Sequence, residues 1–187
     1  MQVEKMAISG VYEVRSQPHL DSSGCYTTTF AWPLLRLQGF TQAFLYDIET
    51  MIPYRNTFRG FYFQNYPRDA SVLVRCVQGR CLVLAADLRA NSQTRLKCVV
   101  KELSGLNGAQ LVTEKGFAHA FLSLEDSTLI QIKMDAPLDT AFARSFRWDD
   151  PELEIPWPQG LQLDPSTFVI SAADQCAPCV AECGCNY

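Results

Sequence analysis

A series of short β-type segments constrains the fold of this chain more than any other feature. Roughly ten such segments, rich in Val, Ile, Thr and aromatic residues, are separated by turns with Gly and Asn, a pattern typical of β-sandwiches and barrels. The predicted strands are residues 10–15, 25–31, 41–46, 57–64, 71–77, 80–88, 94–103, 109–113, 118–124 and 127–133, with one short helix over 32–38. The pattern therefore predicts an all-β fold with short peripheral helices.

Length and composition favour a single globular domain. The chain has 187 residues, 48% of them hydrophobic and 19% charged, which suits one globular core. A net charge of −4 gives no basic patch for nucleic acid, and no apolar run approaches the length of a membrane span. The first residues contain no apolar secretory core. We therefore expect a cytoplasmic protein whose eight cysteines are mostly reduced.

The aromatic-rich segment Thr57–Gln64 is the strand on which we expect the functional site. Strict alternation places Tyr62 and Gln64 on one face and Arg59 on the other. A pocket shared by Arg59 and Tyr62 therefore needs a local bend, which Gly60 can supply.

Several motifs, in order along the chain, resemble the dTDP-4-dehydrorhamnose 3,5-epimerase family of small cupins. They are Arg59-Gly60-Phe61-Tyr62-Phe63-Gln64, Asp87-Leu88-Arg89, Ser92-Gln93-Thr94, Gly116-Phe117-Ala118-His119-Ala120-Phe121, Trp148-Asp149-Asp150-Pro151, Ile155 with Trp157-Pro158, and Ile170-Ser171 to Asp174. The resemblance implies a cupin jelly-roll barrel over residues 1–175, followed by a cysteine-rich tail over 176–187. It also implies a homodimer that exchanges N-terminal strands, and a place in deoxysugar or natural-product biosynthesis.

Four residues match positions that serve the site in that family. The resemblance implies that Arg59 and His119 contact the diphosphate region of the substrate, that Gln64 belongs to the same binding site, and that Asp174 orients a catalytic histidine. Two of them have a structural alternative: His119 can be a hydrogen-bonded core histidine, and Arg59 can form an internal ion pair.

The departures from the family lie in the same pocket. Tyr62 stands where the family has its histidine base, and Ile130 stands where the family has its proton-donating tyrosine. A third family residue, a tyrosine that stacks on thymine, falls near Ala136. Ser23 and Val72 replace an arginine and a lysine of the family. A phenol with its ordinary pKa of about 10 is almost wholly protonated at pH 7, so it is a poor base. Isoleucine has no proton to give.

These losses predict chemistry other than epimerisation of a dTDP-sugar. We expect a retooled isomerase- or cyclase-type enzyme that uses His119, Tyr62 or Asp174 as acid–base groups on a small, less charged ligand held between Arg59 and His119. The alternative is a non-catalytic protein that binds a small molecule or a partner. Tyr62 itself can be a large side chain that only fills the former histidine site.

The tail contains a second candidate site, formed by cysteines. Cys176, Cys179, Cys183 and Cys185 place four thiols within ten residues, and four thiolates suit a structural zinc or an iron–sulfur cluster. The spacing is not the usual pair of Cys-x2-Cys units, so a local disulfide and plain free thiols remain alternatives. We expect no cofactor in the barrel, because a single imidazole, His119, does not make a transition-metal site.

Overall fold

The computed structural model describes residues 1–187 and consists mainly of strands. The strands are β1 Gln2–Lys5, β2 Val11–Arg15, β3 His19–Asp21, β4 Gly24–Tyr26, β5 Tyr46–Ile52, β6 Thr57–Gln64, β7 Val72–Gln78, β8 Arg80–Asp87, β9 Cys98–Ser104, β10 Ala109–Thr113, β11 Phe117–Ser123, β12 Thr128–Met134, β13 Ala143–Ser145 and β14 Val169–Ile170, and the helices are α1 Trp32–Leu37 and α2 Ala172–Gln175. The prediction of an all-β fold with short peripheral helices is confirmed. Neither helix has the length and hydropathy needed to cross a bilayer.

Two sheets enclose the core. The first has the strand order β1-β2-β10-β7-β12-β5, and the second has the order β13-β6-β11-β8-β9 with β14 beside β6. Eighteen buried residues, most of them on strands of the two sheets, fill the space between them. Antiparallel sheets that face each other across one core form the jelly-roll architecture that the sequence predicted.

The outer faces of both sheets are covered by other parts of the chain. Leu35 of α1 packs with Val14 and Leu73 on the first sheet. Val180 and Cys183 pack on the second sheet and are buried there. Residues 176–187 therefore lie against the barrel.

Strand β5 is a structural element that the sequence analysis missed. The analysis placed a strand over 41–46 and a loop after it, whereas residues 40–45 are irregular and Tyr46–Ile52 is the edge strand beside β12. Its inward residues Ile48 and Ile52 alternate with charged ones, a pattern suited to an edge that faces water on one side. The predicted strand over 25–31 is also shorter in the structure, where it ends at Tyr26.

The bend expected at Gly60 is present and breaks the strict alternation of β6. On β11, His119 pairs with Tyr62 while Phe121 pairs with Arg59, so three steps along β6 match two steps along β11. Gly60 has a φ of +117°, and an added Cβ would lie 2.6 Å from the carbonyl oxygen of His119. Glycine is therefore required here, and the bulge turns Arg59 towards the cavity that Tyr62 also lines.

Candidate functional site

A cavity of about 590 Å³ opens between the two sheets, within the usual range for small-molecule sites. Most of its wall is apolar, and Arg59, Tyr62, Gln64 and His119 all line it. The four residues that the sequence analysis placed in one pocket are therefore brought together. Asp174 lies behind Tyr62 and is buried.

Tyr62 and Asp174 form a hydrogen-bonded pair. The Tyr62 hydroxyl donates to Oδ2 of Asp174 at 2.9 Å, and the Ser171 hydroxyl donates to the same oxygen at 2.8 Å. Ser171 also caps α2 by accepting from the Asp174 backbone N–H, which fixes the carboxylate in place. Burial and the hydrogen bond to Asp174 raise the pKa of Tyr62 to about 12. The phenol is therefore protonated at neutral pH and points at a carboxylate that can accept its proton.

His119 lies opposite Tyr62 on the neighbouring strand. Its Nε2 is 2.7 Å from the hydroxyl of Thr113, and its side chain is nearly inaccessible to solvent, so it is hydrogen-bonded in the core while it also lines the cavity. Burial lowers the pKa of His119 to about 4. The imidazole is therefore neutral at pH 7 and acts towards a ligand through hydrogen bonds rather than through charge.

Two arginines provide the positive charge of the cavity. Arg59 donates from Nη1 to the Thr50 hydroxyl at 3.0 Å. Arg144, at the rim, donates from Nη1 to the backbone oxygens of Ala141 and Ala143 at 3.0 and 2.8 Å. Neither has a carboxylate within ion-pair distance, so Arg59 does not form the internal ion pair that was its alternative. The sequence gives no local signal for the role of Arg144.

Gln64 builds the wall of the cavity through its own hydrogen bonds. Its Nε2 donates to the carbonyl oxygens of Arg68 and Pro137 at 2.7 and 3.1 Å. Of the positions where the family resemblance broke down, Val72 lines the cavity, whereas Ile130 is fully buried in the core and does not reach it. The amide of Gln64 is therefore engaged with backbone groups of the protein, whereas Arg59, Tyr62 and His119 present polar groups to the cavity.

Tyr187 is a cavity residue that the sequence analysis missed. Its ring lines the cavity and packs near Phe63, with the ring centroids 6.2 Å apart. Its hydroxyl donates to the backbone oxygen of Gln64. A single tyrosine at the end of a cysteine-rich segment carries no periodic pattern, so only the folded chain reveals this contact.

The four tail cysteines do not form a common site in this structure. Cys176 is exposed, Cys183 is buried with its Sγ donating to the Val180 oxygen at 3.0 Å, and all eight cysteines of the chain are free. No group of three or more His, Cys, Asp or Glu side chains is arranged to hold a metal ion. The thiols as placed do not fit a tetrahedral centre, and metal binding would have to draw them together.

The metal site in the tail stays a prediction with a direct check. Protein purified without chelator is expected to contain about one zinc or iron per chain. A structural metal site needs its full set of ligands, so loss of two thiols should abolish metal binding. Elemental analysis measures this, and substitution of both Cys179→Ser and Cys183→Ser should remove the metal. A metal content that these substitutions leave unchanged would contradict the prediction.

Comparison with known proteins identifies close similarity to one enzyme family. The model of the dTDP-4-dehydrorhamnose 3,5-epimerase family matches residues 5–182. The curated dTDP-4-dehydrorhamnose 3,5-epimerase of Sinorhizobium fredii is 34% identical over 182 residues, which cover 97% of this chain and 91% of the relative. The enzyme of the same name from Methanothermobacter thermautotrophicus is 30% identical over 171 residues, covering 91% of this chain and 90% of the relative.

Solved structures of such enzymes have the same fold. The crystal structure of the Bacillus anthracis dTDP-4-dehydrorhamnose 3,5-epimerase, with TDP and PPi bound, superposes with a TM-score of 0.87 at 28% identity, covering 96% of this chain and 99% of that one. The Legionella pneumophila dTDP-6-deoxy-D-glucose-3,5-epimerase, in complex with dTDP-4-keto-L-rhamnose, gives a TM-score of 0.86 at 25% identity, covering 97% and 93%.

These comparisons correct the function expected from the sequence. The losses at Tyr62 and Ile130 predicted a retooled isomerase or cyclase that does not epimerise dTDP-sugars, or else a non-catalytic binding protein. Relatives at up to 34% identity over most of the chain are named dTDP-4-dehydrorhamnose 3,5-epimerase, which contradicts that expectation and its alternative. The error came from weighing two substituted positions above the similarity of the whole chain.

Proposed function

Because the chain belongs to the dTDP-4-dehydrorhamnose 3,5-epimerase family, we propose that it epimerises a dTDP-linked 4-keto-6-deoxy sugar. The observation that carries this proposal is the hydrogen-bonded pair of Tyr62 and buried Asp174, which faces the cavity where a proton must leave the sugar. The pair replaces a histidine base with a phenol and a carboxylate that act together.

The diphosphate of the substrate is bound by arginine. Arg59 faces the cavity without a carboxylate partner, and a guanidinium group binds phosphate through paired, charge-assisted hydrogen bonds. The relative from Bacillus anthracis, whose structure contains TDP and PPi, supports a diphosphate-containing ligand. With the phosphates at Arg59, the sugar extends along β6 towards Tyr62.

Proton removal uses Tyr62 and Asp174 in one step. The phenol oxygen takes the proton from the carbon beside the ketone while its own proton passes to Asp174, and the electron pair of the C–H bond becomes the enolate. This relay does not need a phenolate formed in advance, which matters because a pKa of about 12 leaves only about 10⁻⁵ of Tyr62 ionised at pH 7.

His119 stabilises the enolate as a neutral hydrogen-bond donor. We assign the Thr113 hydroxyl as the donor to Nε2, which places the proton of the neutral ring on Nδ1, where it can meet the ketone oxygen of the ligand. A pKa of about 4 keeps the ring neutral throughout the physiological range.

Water returns the proton on the opposite face of the sugar. The first sheet, which does not contain Tyr62, contributes neither tyrosine nor histidine to the cavity and lines it with Ile48, Glu49, Thr50, Val72, Ile132 and Met134. Inversion at the carbon therefore uses hydrogen from the solvent.

Conversion of the substrate tests the proposal. Incubation with dTDP-4-keto-6-deoxyglucose is expected to yield dTDP-4-keto-L-rhamnose, followed by proton NMR. Asp174→Asn is the matched control, because it keeps the shape of the side chain but cannot accept the phenolic proton, and it should convert the substrate at least about 10²-fold more slowly. No conversion above a protein-free sample would reject the proposal.

We also propose a cytoplasmic homodimer in which the N-terminal strands are exchanged. Strands β3 and β4 form a separate two-stranded sheet whose residues are all exposed, and such a hairpin is marginal in water unless something covers it. Light scattering at micromolar concentration should give twice the 21.0 kDa mass of one chain. A monomer under these conditions would count against the dimer. The eight free cysteines support a reducing compartment.

A further inference from the structure

Three polar side chains lie side by side on the face of the second sheet that lines the cavity. Ser145 on β13 pairs with Tyr62 on β6, and Tyr62 pairs in turn with His119 on β11. Directly opposed residues of antiparallel strands point to the same face, and all three line the cavity. Ser145 therefore flanks Tyr62 on the side away from His119.

The side chains of Ser145 and Tyr62 lie close together. The neighbouring pair, Phe61 and Phe146, exchanges both of its backbone hydrogen bonds, at 3.1 and 3.2 Å. Because the two kinds of pair alternate along antiparallel strands, Ser145 and Tyr62 form a non-hydrogen-bonded pair, with Cβ atoms about 4.5–5.5 Å apart. The Ser145 hydroxyl thus borders the space in which the reacting part of a ligand meets Tyr62.

The position of Ser145 is fixed on both sides, although β13 is an edge strand. The rings of Phe146 and Phe61 stack with their centroids 5.0 Å apart, and both are fully buried. At the other end of β13, the backbone N–H of Asn65 donates to the Phe142 oxygen at 3.0 Å. The Ser145 side chain is therefore part of a built wall.

The Ser145 hydroxyl is the one cavity hydroxyl without a partner in the protein. Four hydroxyl groups line the cavity, and those of Thr50, Tyr62 and Tyr187 are each hydrogen-bonded to another residue. The side-chain hydrogen bonds of β13 are made by Arg144, and Ser145 makes none. Ser145 is partly exposed, so its hydroxyl is available to a ligand.

We propose that Ser145 is a specificity-determining residue whose hydroxyl group hydrogen-bonds the 2-hydroxyl group of the sugar. This rests on the proposed function, in which the ketone oxygen meets His119 and the carbon that loses its proton meets Tyr62. When that carbon is C3, the next carbon away from the ketone is C2, which lies towards Ser145 and carries a hydroxyl group. When it is C5, the ring oxygen takes that place instead. Ser145 therefore favours the orientation that brings C3 to Tyr62.

Calorimetry with unreactive nucleotides tests this contact without reference to turnover. The ligands are dTDP, dTDP-quinovose and the 2-deoxy counterpart of dTDP-quinovose. The wild-type protein is expected to bind dTDP-quinovose about five- to tenfold more tightly than the 2-deoxy sugar, the usual effect of one neutral hydrogen bond. Ser145→Ala should reduce this preference to less than about twofold and leave the binding of dTDP unchanged.

Ser145→Thr and Ser145→Val form a matched pair that keeps the test decisive if Ser145→Ala loosens the edge strand. Both new side chains are β-branched and suit a strand, but only threonine has a hydroxyl group. The Thr variant should keep the preference for the 2-hydroxy sugar, and the Val variant should lose it. Ser9→Ala, at an exposed serine outside the cavity, is the control and should change nothing.

A preference that persists in the Ala and Val variants, or that is absent from the wild-type protein, would overturn the role of Ser145 and leave the proposed function standing. Loss of the preference in the Thr variant would do the same. Failure of the wild-type protein to bind dTDP at all would overturn both.

Discussion

Tyr62→Phe is expected to slow epimerisation by about 10²- to 10⁴-fold, the usual contribution of one positioned acid–base group. The phenylalanine ring fills the same space, but it has no hydroxyl to take the proton from the sugar or to pass one to Asp174. NMR rates at saturating substrate measure the effect on turnover. An unchanged rate would show that Tyr62 only fills the former histidine site, and would remove the basis of the relay.

Tyr62→His is the complementary variant and should increase the rate at pH 7 by at least about tenfold. An imidazole with a pKa of about 6.5 is largely neutral at that pH and takes the proton directly, whereas the protonated phenol, with a pKa of about 12, must hand its own proton on to Asp174 in the same step. Asp174 remains in position to accept a hydrogen bond from the ring. Thermal unfolding of both variants serves as the control, since loss of the hydroxyl leaves buried Asp174 with one donor fewer.

Gly60→Ala is expected to reduce the free energy of unfolding by about 3 kcal/mol or more, among the larger effects of a single substitution. The new Cβ would lie 2.6 Å from the backbone oxygen of His119 and 2.8 Å from the Cα and Cβ of Ala120, atoms that cannot move away separately from β11. The positive φ of +117° adds backbone strain of its own.

Two other glycines separate these causes in denaturant titrations. Gly39→Ala also has a positive φ, of +97°, but meets no atom within 4 Å, so it should show the backbone contribution alone. Gly160→Ala has neither a positive φ nor a close neighbour and should be nearly neutral. If Gly60→Ala were as stable as Gly160→Ala, the bulge that brings Arg59 and Tyr62 together would not be a fixed feature of the strand.

Local patterns were enough to predict the fold class and most strands. The segment Thr57–Gln64 has the composition of a strand, and even its bend could be anticipated at Gly60. Strand β5 was missed because its outward charges dilute the apolar alternation of an edge strand. An edge strand is stabilised by pairing with a single neighbouring strand, and the sequence pattern over a few residues does not reveal that pairing.

The candidate site was predictable only where a motif carried it. Arg59, His119 and Asp174 lie in recognisable motifs, and the structure brings them to one cavity or directly behind it. Arg144 and Tyr187 reach the same cavity through contacts with chain segments far away in sequence, so no local pattern marks them. The roles of these two residues depend on packing that exists only after folding.

The environment of His119 shows why residue type alone is a poor guide to charge. The sequence suggested a contact to the diphosphate, which a positively charged imidazole would favour. Burial instead keeps the ring neutral at physiological pH, and its bond with Thr113 orients it. In the proposed function, the charge that neutralises phosphate therefore comes from Arg59.

Solvent exchange at the sugar carbons tests the central claim most directly, namely that Tyr62 and Asp174 move a proton beside the ketone of a dTDP-4-keto-6-deoxy sugar. The measurement is deuterium incorporation at C3 and C5 of dTDP-4-keto-6-deoxyglucose in heavy water, followed by NMR and mass spectrometry. The wild-type protein should introduce deuterium at these carbons, and Tyr62→Phe should do so about 10²- to 10⁴-fold more slowly. Incorporation no faster than in a protein-free sample, or equal with the two proteins, would contradict the account.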